Sequence, residues 1–187
     1  MFAGGHCLSI DAFKERLRQN ALLDYTCKNW VYHFREASEA SVRDPALKFL
    51  ECGPKVACST QVMFATSPFF GYSQTPYAWT GIHLTAYFGL ESTTTELLKN
   101  GMGADLKDTH GWTSLCWAAR NGHGSVVERL LLETHVDPNS RDNSWQTPLT
   151  WAARNGNEAV VRLMATSTRT QGTRITGTNM LGRGKGA

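Results

Sequence analysis

Trp117-Ala118-Ala119-Arg120-Asn121-Gly122 returns letter for letter as Trp151-Ala152-Ala153-Arg154-Asn155-Gly156, an offset of 34 residues. A short helix-like block repeated at that spacing predicts stacked units rather than one closed core around a catalytic pocket. The match extends on both sides. Thr113-Ser114-Leu115 becomes Thr147-Pro148-Leu149, Val126-Val127 becomes Val160-Val161, and Asp108 becomes Asp142. A weaker copy lies upstream at an offset of 33, where Thr80, Ile82, His83, Ala86 and Gly89 precede Thr113, Leu115, Cys116, Ala119 and Gly122. Three units are expected, over 76–107, 108–141 and 142–165.

Each unit has a mechanical reading. Thr80, Thr113 and Thr147 stand where a helix should start, and a threonine hydroxyl there takes a free first-turn amide. Pro148 suits the first helical position, where its missing N–H costs nothing. The first helix is rich in small residues (Ala118-Ala119, Ala152-Ala153), which allow close approach of neighbours. Gly89, Gly122 and Gly156 are placed to end it in a left-handed turn. A second helix carries Val126, Val127, Leu130 and Leu131 on one stripe. The polar stretches 105–111 and 137–144 then read as a projecting turn or hairpin finger.

This pattern resembles the ankyrin repeat, whose signature is a Thr-Pro-Leu-His-x-Ala helix start in a repeat of about 33 residues. The three versions here are Thr80-Gly81-Ile82-His83-Leu84-Thr85-Ala86, Thr113-Ser114-Leu115-Cys116-Trp117-Ala118-Ala119 and Thr147-Pro148-Leu149-Thr150-Trp151-Ala152-Ala153. The resemblance implies an all-α solenoid of about three helix-turn-helix repeats. The middle unit keeps the family's Gly-x-Thr as Gly111-Trp112-Thr113, whereas Trp145 occupies that glycine position in the third. A tryptophan forced to positive φ is strained, so the third finger is expected to be distorted.

Residues 1–75 read as a helical segment capping the first unit. One helix is expected from Ala21 to Phe34, capped by Asn20, with Leu23, Cys27, Trp30 and Phe34 on one face. A second is expected over Val42–Glu51 with Val42, Ala46, Phe49 and Leu50 inward, and a third over Val56–Phe64. Phe13-Lys14-Glu15-Arg16-Leu17-Arg18-Gln19-Asn20, then Leu22-Leu23-Asp24-Tyr25 and Asn29-Trp30, together with Thr80-Gly81-Ile82-His83-Leu84-Thr85-Ala86-Tyr87-Phe88-Gly89, resemble the linker-to-ankyrin junction of fungal NACHT (NLR-like) proteins. The chain carries no Gly-x-x-x-x-Gly-Lys-Ser/Thr loop. It looks like the C-terminal part of such a receptor, cut short.

The formal charge of +3 divides unevenly, because 166–187 carries Arg169, Arg174, Arg183 and Lys185 with no acidic residue. The remaining body is nearly neutral and presents no broad basic footprint. The tail, rich in Thr and Gly, is expected to be disordered. The third unit's second helix is expected to stop at Ala165 without a polar capping repeat, leaving Val161, Leu163 and Met164 exposed for self-association. The 5 cysteines form no CxxC pair, and there is no signal-peptide pattern or membrane-length apolar run. A reducing, cytoplasmic setting is the default.

No constellation of residues converges on catalysis, a metal or a cofactor. In the resemblance His83 is structural, with Cys116 and Thr150 replacing it in the other units. His123 is likewise structural, and Trp117 and Trp151 face the neighbouring repeat. Cys52 and Cys58 have no partner at zinc-site spacing. Gly182-Arg183-Gly184-Lys185-Gly186 lacks the Ser/Thr and preceding strand of a phosphate loop. Four tail charges offer only weak, salt-sensitive nucleic-acid binding.

What the resemblance implies is therefore binding of a protein partner on a concave surface of finger tips and first helices. The family's variable positions fall here on Tyr87 and Phe88; on Thr109, His110, Trp112, Arg120 and Asn121; and on Asn143, Ser144, Gln146, Arg154 and Asn155. Trp112 is expected to be exposed as an interface anchor. The competing reading is a remnant without activity of its own.

Overall fold

The computed structural model describes residues 7, 9–19, 29, 31–32, 39–65 and 78–167, with backbone alone for 39–43. Its elements are α1 (Ile10–Gln19), α2 (Glu39–Leu50), α3 (Gly53–Phe64), α4 (Gly81–Phe88), α5 (Glu91–Lys99), α6 (Ser114–Asn121), α7 (Gly124–Leu131), α8 (Pro148–Arg154) and α9 (158–167). No strand occurs among the described residues. The fold is all-α. The first helices α4, α6 and α8 pack side by side, and the second helices α5 and α7 stack behind them.

In all three repeat units the expected start of the first helix is present. Thr113 Oγ1 accepts the Cys116 N–H and Thr147 Oγ1 accepts the Thr150 N–H, both at 3.3 Å. In the first unit the cap is reciprocal, because the His83 ring takes the Thr80 N–H at 3.1 Å. Pro148 begins α8. Gly89 and Gly122 end α4 and α6 with φ of 71° and 77°. In the third unit Asn155 closes α8 one residue early, and Gly156 follows at φ 71°.

The core runs unbroken from the N-terminal helices through all three units. Leu50 and Val56 of α2 and α3 join Ile82, Leu84, Leu97, Leu115, Trp117, Val126, Val127, Leu130, Ala152 and Val160. The Val, Leu and Ile side chains among these each contribute about 1.5–3 kcal/mol. The second-helix stripe is buried as expected, apart from Leu131, which is partly exposed. Gly81 lies so close to the Leu50 backbone that a Cβ there would collide with it. This explains the glycine in the first unit's start motif: α4 meets the end of α2 backbone to backbone.

At the N-terminus α1 attaches by different means. Phe13 packs with Cys7 and Val62. The Gln61 amide brackets the Cys7 backbone, accepting its N–H at 2.8 Å and donating to its carbonyl at 2.6 Å. The helix expected from Ala21 to Phe34 lies largely outside the described residues, of which 29, 31 and 32 are helical. Of the faces expected on α2, Leu50 is fully buried while Ala46 and Phe49 are partly buried; the Val42 side chain is not described.

Two expectations at the C-terminal end are corrected. The last helix runs two residues beyond Ala165, to 167; the remainder of the tail lies outside the described residues. Met164 is 1% exposed, not open to solvent, and Val161 and Leu163 are partly buried. The apolar stripe of α9 turns back onto the stack, where Met164 joins the common core.

Candidate functional site

The finger and first-helix face is organised by two buried carboxylates. Asp108 Oδ1 accepts the backbone N–H groups of His110 and Trp112 at 2.8 and 2.9 Å. Its Oδ2 accepts two indole N–H groups, from Trp79 at 3.1 Å and Trp117 at 3.0 Å. Asp142 repeats the arrangement, with Ser144 and Gln146 N–H at 2.8 and 2.9 Å and the Trp151 indole at 2.8 Å. Each aspartate closes its own finger turn and clamps it to the first helix of the same unit. Asp108 also reaches back to the preceding unit through Trp79. An ionised carboxylate with several donors is the arrangement that tolerates burial.

Around these clamps the aromatic rings form one column across the units. Phe64 meets Trp79 edge-on at 5.1 Å and Trp79 meets Trp117 at 4.6 Å. Trp112 then lies 4.3 Å from Trp117 and 4.5 Å from Trp151. Trp112 is therefore 7% exposed and part of this column, which corrects the expectation of an exposed anchor. The reason is the short finger: the Asp108 turn folds it back against α6 and α8. Trp117 is fully buried, whereas Trp151, in the last unit, is partly covered.

The third finger is not distorted. Trp145 sits at φ 62°, where Gly111 sits at 75°. Both turns close identically, with Gly111 N to Asp108 O and Trp145 N to Asp142 O at 2.9 Å. The strain is carried by Trp145 itself, which is 74% exposed, with the Arg141 guanidinium 5.6 Å from its ring centroid. The fingers are laced together: Asn143 N donates to His110 O and Asn143 Nδ2 to Thr109 O, both at 3.0 Å.

Apart from the buried Trp112, the sequence-predicted contact residues fall into three groups. Thr109, His110, Asn121, Ser144, Arg154 and Asn155 are exposed. Tyr87, Phe88, Arg120 and Gln146 are half-buried. Asn143 is exposed but its amide is spent on the neighbouring finger. The amide N–H groups of Asn121 and Asn155 return to the carbonyls of Trp117 and Trp151 at 2.9 and 2.8 Å. Arg120 lies over three indoles, 5.2 Å from Trp112, 5.8 Å from Trp117 and 5.7 Å from Trp151. Burial draws its pKa below the ordinary guanidinium value, with Tyr87 acting in the opposite direction. Arg154 lies 5.1 Å over Trp151.

His83, His123 and Cys116 are each engaged in packing or in contacts to the backbone. His83 is fully buried, with Nε2 3.0 Å from Leu106 O; burial pulls its pKa down against the opposing pull of Asp108. With Nδ1 accepting from Thr80, the proton belongs on Nε2, an assignment made from the network. His123 Nε2 reaches Tyr87 O at 3.0 Å and binds the second unit to the first. Burial pushes the Cys116 thiol up to about 11, a value that keeps it a protonated, small apolar group. Among the described residues no group of three or more His, Cys, Asp or Glu is placed to hold a metal, and no helix is long and apolar enough to cross a membrane.

Sequence reasoning aligned Asp108 with Asp142 but missed what they do. The signal was there: Asp and Trp recur together, each pair nine residues apart, at the repeat offset. Trp79, one residue before the Thr80 cap, was missed for want of an equivalent in the third unit. A family model described as ankyrin repeats (3 copies) matches residues 71–178. No curated protein matches the chain.

Proposed function

The chain belongs to the ankyrin-repeat family, and we propose that it binds a protein partner through the face built by its finger tips and first helices. Ankyrin-repeat domains generally serve as protein-interaction scaffolds, and the reading needs no covalent step. The observation that carries it is a division of labour repeated in successive units. The Asp–Trp clamps hold the fingers and first helices rigidly, while Thr109, His110, Asn121, Ser144, Arg154 and Asn155 remain at the surface above them. Preorganised polar groups beside aromatic side chains suit recognition, because little freedom is lost on binding.

The origin of the module in a signal-transducing NTPase receptor, and a cytoplasmic setting, are parts of the same proposal. The first rests on the resemblance of residues 7–90, the second on the free thiols of Cys7, Cys52, Cys58 and Cys116. In that setting the module would compete for, or sense, a ligand of the parent receptor.

A photocrosslinking amino acid at His110, Asn121 or Asn155 is expected to label a verified partner, and one at Glu128 or Arg162 on the second helices is expected not to. Labelling from the second helices alone would overturn the proposal.

A further inference from the structure

Three of the helices end on the same dipeptide. Asn100-Gly101 follows α5, Asn121-Gly122 closes α6 and Asn155-Gly156 follows α8. An asparagine before glycine is chemically labile. With no side chain on the glycine, its backbone nitrogen can reach the asparagine Cγ and close a five-membered imide. All three asparagines are exposed, so access to water does not rank them. Each glycine sits at positive φ, 83°, 77° and 71° in chain order, with its N–H bonded to Leu98 O, Ala119 O and Ala153 O at 3.0, 3.3 and 3.1 Å. The nitrogen attacks only after that turn opens. The three sites differ in the cover that resists opening.

At Asn121 the cover is the next unit. Asn157 lies over Gly122, its Oδ1 2.8 Å from a built Cβ, and its amide holds Ala119 O and Arg120 O at 2.9 and 2.8 Å. Opening that turn means withdrawing the plug of the third unit. At Asn100 the leaving amide is held from another element, because Nδ2 donates to Glu51 Oε1, just past the end of α2, at 2.8 Å. The Glu51 carboxylate also opposes the negative charge that develops on the oxygen at Cγ during attack. At Asn155 the described residues supply neither. Its amide returns to Trp151 O of its own helix at 2.8 Å, as that of Asn121 does to Trp117 O at 2.9 Å. Nothing lies within 4 Å of a Cβ built on Gly156, and Ala153, Arg154, Asn155 and Gly156 are all exposed. A segment at the end of a stack opens at lower free energy than one flanked on both sides.

We propose that Asn155 is a covalent modification site of this protein, deamidating through an imide with Gly156 ahead of Asn121 and Asn100. The Gly156 nitrogen forms a bond to Cγ of Asn155 and gives up its proton. The Cγ–Nδ2 bond breaks, and Nδ2 leaves as ammonia. Water then opens the imide at either carbonyl, giving a normal aspartate or a β-linked isoaspartate. The step consumes one water and needs no oxidant. The new carboxylate accepts hydrogen bonds and donates none, so the bond to Trp151 O is lost. It also places negative charge at a helix C-terminus, the end that disfavours it. The first helices α4, α6 and α8 contain no Asp or Glu, so the modification brings a carboxylate to the edge of a face that has none on its helices. The site itself stands apart from the finger-face reading; its effect on a contact position rests on that reading.

The test uses the full chain, held at mildly alkaline pH for weeks and then digested with pepsin at acid pH, where imide closure is suppressed. Fragment-ion mass spectrometry locates the conversion of amide to carboxylate at each asparagine. Asn155 is expected to convert about tenfold faster than Asn121 and Asn100, which corresponds to an opening free energy about 1.4 kcal/mol lower. In guanidinium chloride, where the stack is unfolded, the three Asn-Gly sites should convert at similar rates. Asn157→Ala removes the plug on Gly122 and should bring Asn121 toward the rate of Asn155. The order of the three sites in the unmutated chain serves as the readout if that variant loses its helical circular dichroism.

Equal rates at the three sites in the native chain, or conversion of Asn121 or Asn100 first, would overturn the proposal. An intact Asn155 in the native chain, when the guanidinium-treated chain converts, would overturn it as well. An unmoved Asn121 rate in a folded Asn157→Ala chain would overturn the protective role of the plug. Each of these outcomes leaves the crosslinking test of the finger face standing.

Discussion

Single residues in this protein are asked to do things their chemistry resists, and the surrounding geometry makes them comply. Trp145 occupies a left-handed position that its glycine counterpart Gly111 fills without strain. A left-handed conformation costs a side-chain-bearing residue about 1–2 kcal/mol. Trp145→Gly is expected to stabilise the chain by about 1 kcal/mol, seen as a higher urea midpoint with unchanged slope. An unchanged or lower midpoint would mean that the stack of Arg141 on the ring offsets the strain. His83 complies in another way, by staying neutral. Below about pH 6.5 an unfolded histidine takes up a proton, while burial keeps the folded ring deprotonated. The unfolded state then binds more protons, so stability falls as pH drops through that window. Urea midpoints at about pH 7.5 and 5.5 should show this fall, and His83→Gln should flatten it. Trp145 was legible as a problem because Gly111 supplied the comparison. The outcome was not, since turn geometry depends on hydrogen bonds that a residue pattern does not display.

At the level of elements, the second and third units each plug a side chain into the end of the preceding first helix. A Cβ on Gly89 would strike the His123 ring, and one on Gly122 would lie 2.8 Å from Asn157 Oδ1. The Asn157 amide also donates to Ala119 O and Arg120 O at 2.9 and 2.8 Å. Gly156 has the same backbone conformation but no atom within 4 Å of a built Cβ. Gly122→Ala and Gly156→Ala therefore share the cost of an alanine at positive φ, and only the first adds a clash with the next unit. Gly122→Ala should lower the melting temperature clearly more than Gly156→Ala. Equal effects would show that the Asn157 plug adds nothing to unit coupling. The glycines were readable from the sequence as helix ends. Their second role, close approach of the following unit, was not, because it joins residues 34 or more apart.

Taken as a whole, the stack is one-dimensional, and its two ends are treated differently. α2 and α3 close the N-terminal side through Leu50, Val56 and Phe64. At the other end an open concavity of about 320 Å³ is lined by Ala153, Gly156, Asn157, Glu158, Val161 and Arg162, where the earlier junctions hold His123 and Asn157. In a solenoid each interface adds its own increment of stability. Replacing residues 168–187 with a second copy of 134–167, which continues the register, should seat a new asparagine on Gly156. The melting temperature should rise by several degrees, about 2–4 °C for each kcal/mol gained in a chain of this size. No rise would mean that this face gains nothing from a neighbour.

The sequence by itself determined the repeat, its helix starts and ends, and the class of fold, because these rest on local rules: a capping threonine, a closing glycine and an apolar stripe at helical spacing. The candidate contact positions came from the family resemblance carried onto the repeats, and of these Trp112 proved to be buried. Only the tertiary structure decided that Trp112 is core, that Asp108 and Asp142 hold the fingers, that Met164 is covered and that Arg120 and Arg154 share one indole. Those outcomes depend on how far each side chain lies from residues in the next unit. Burial and charge are set by neighbours across the stack, and the repeat offset identifies those neighbours without giving their distances.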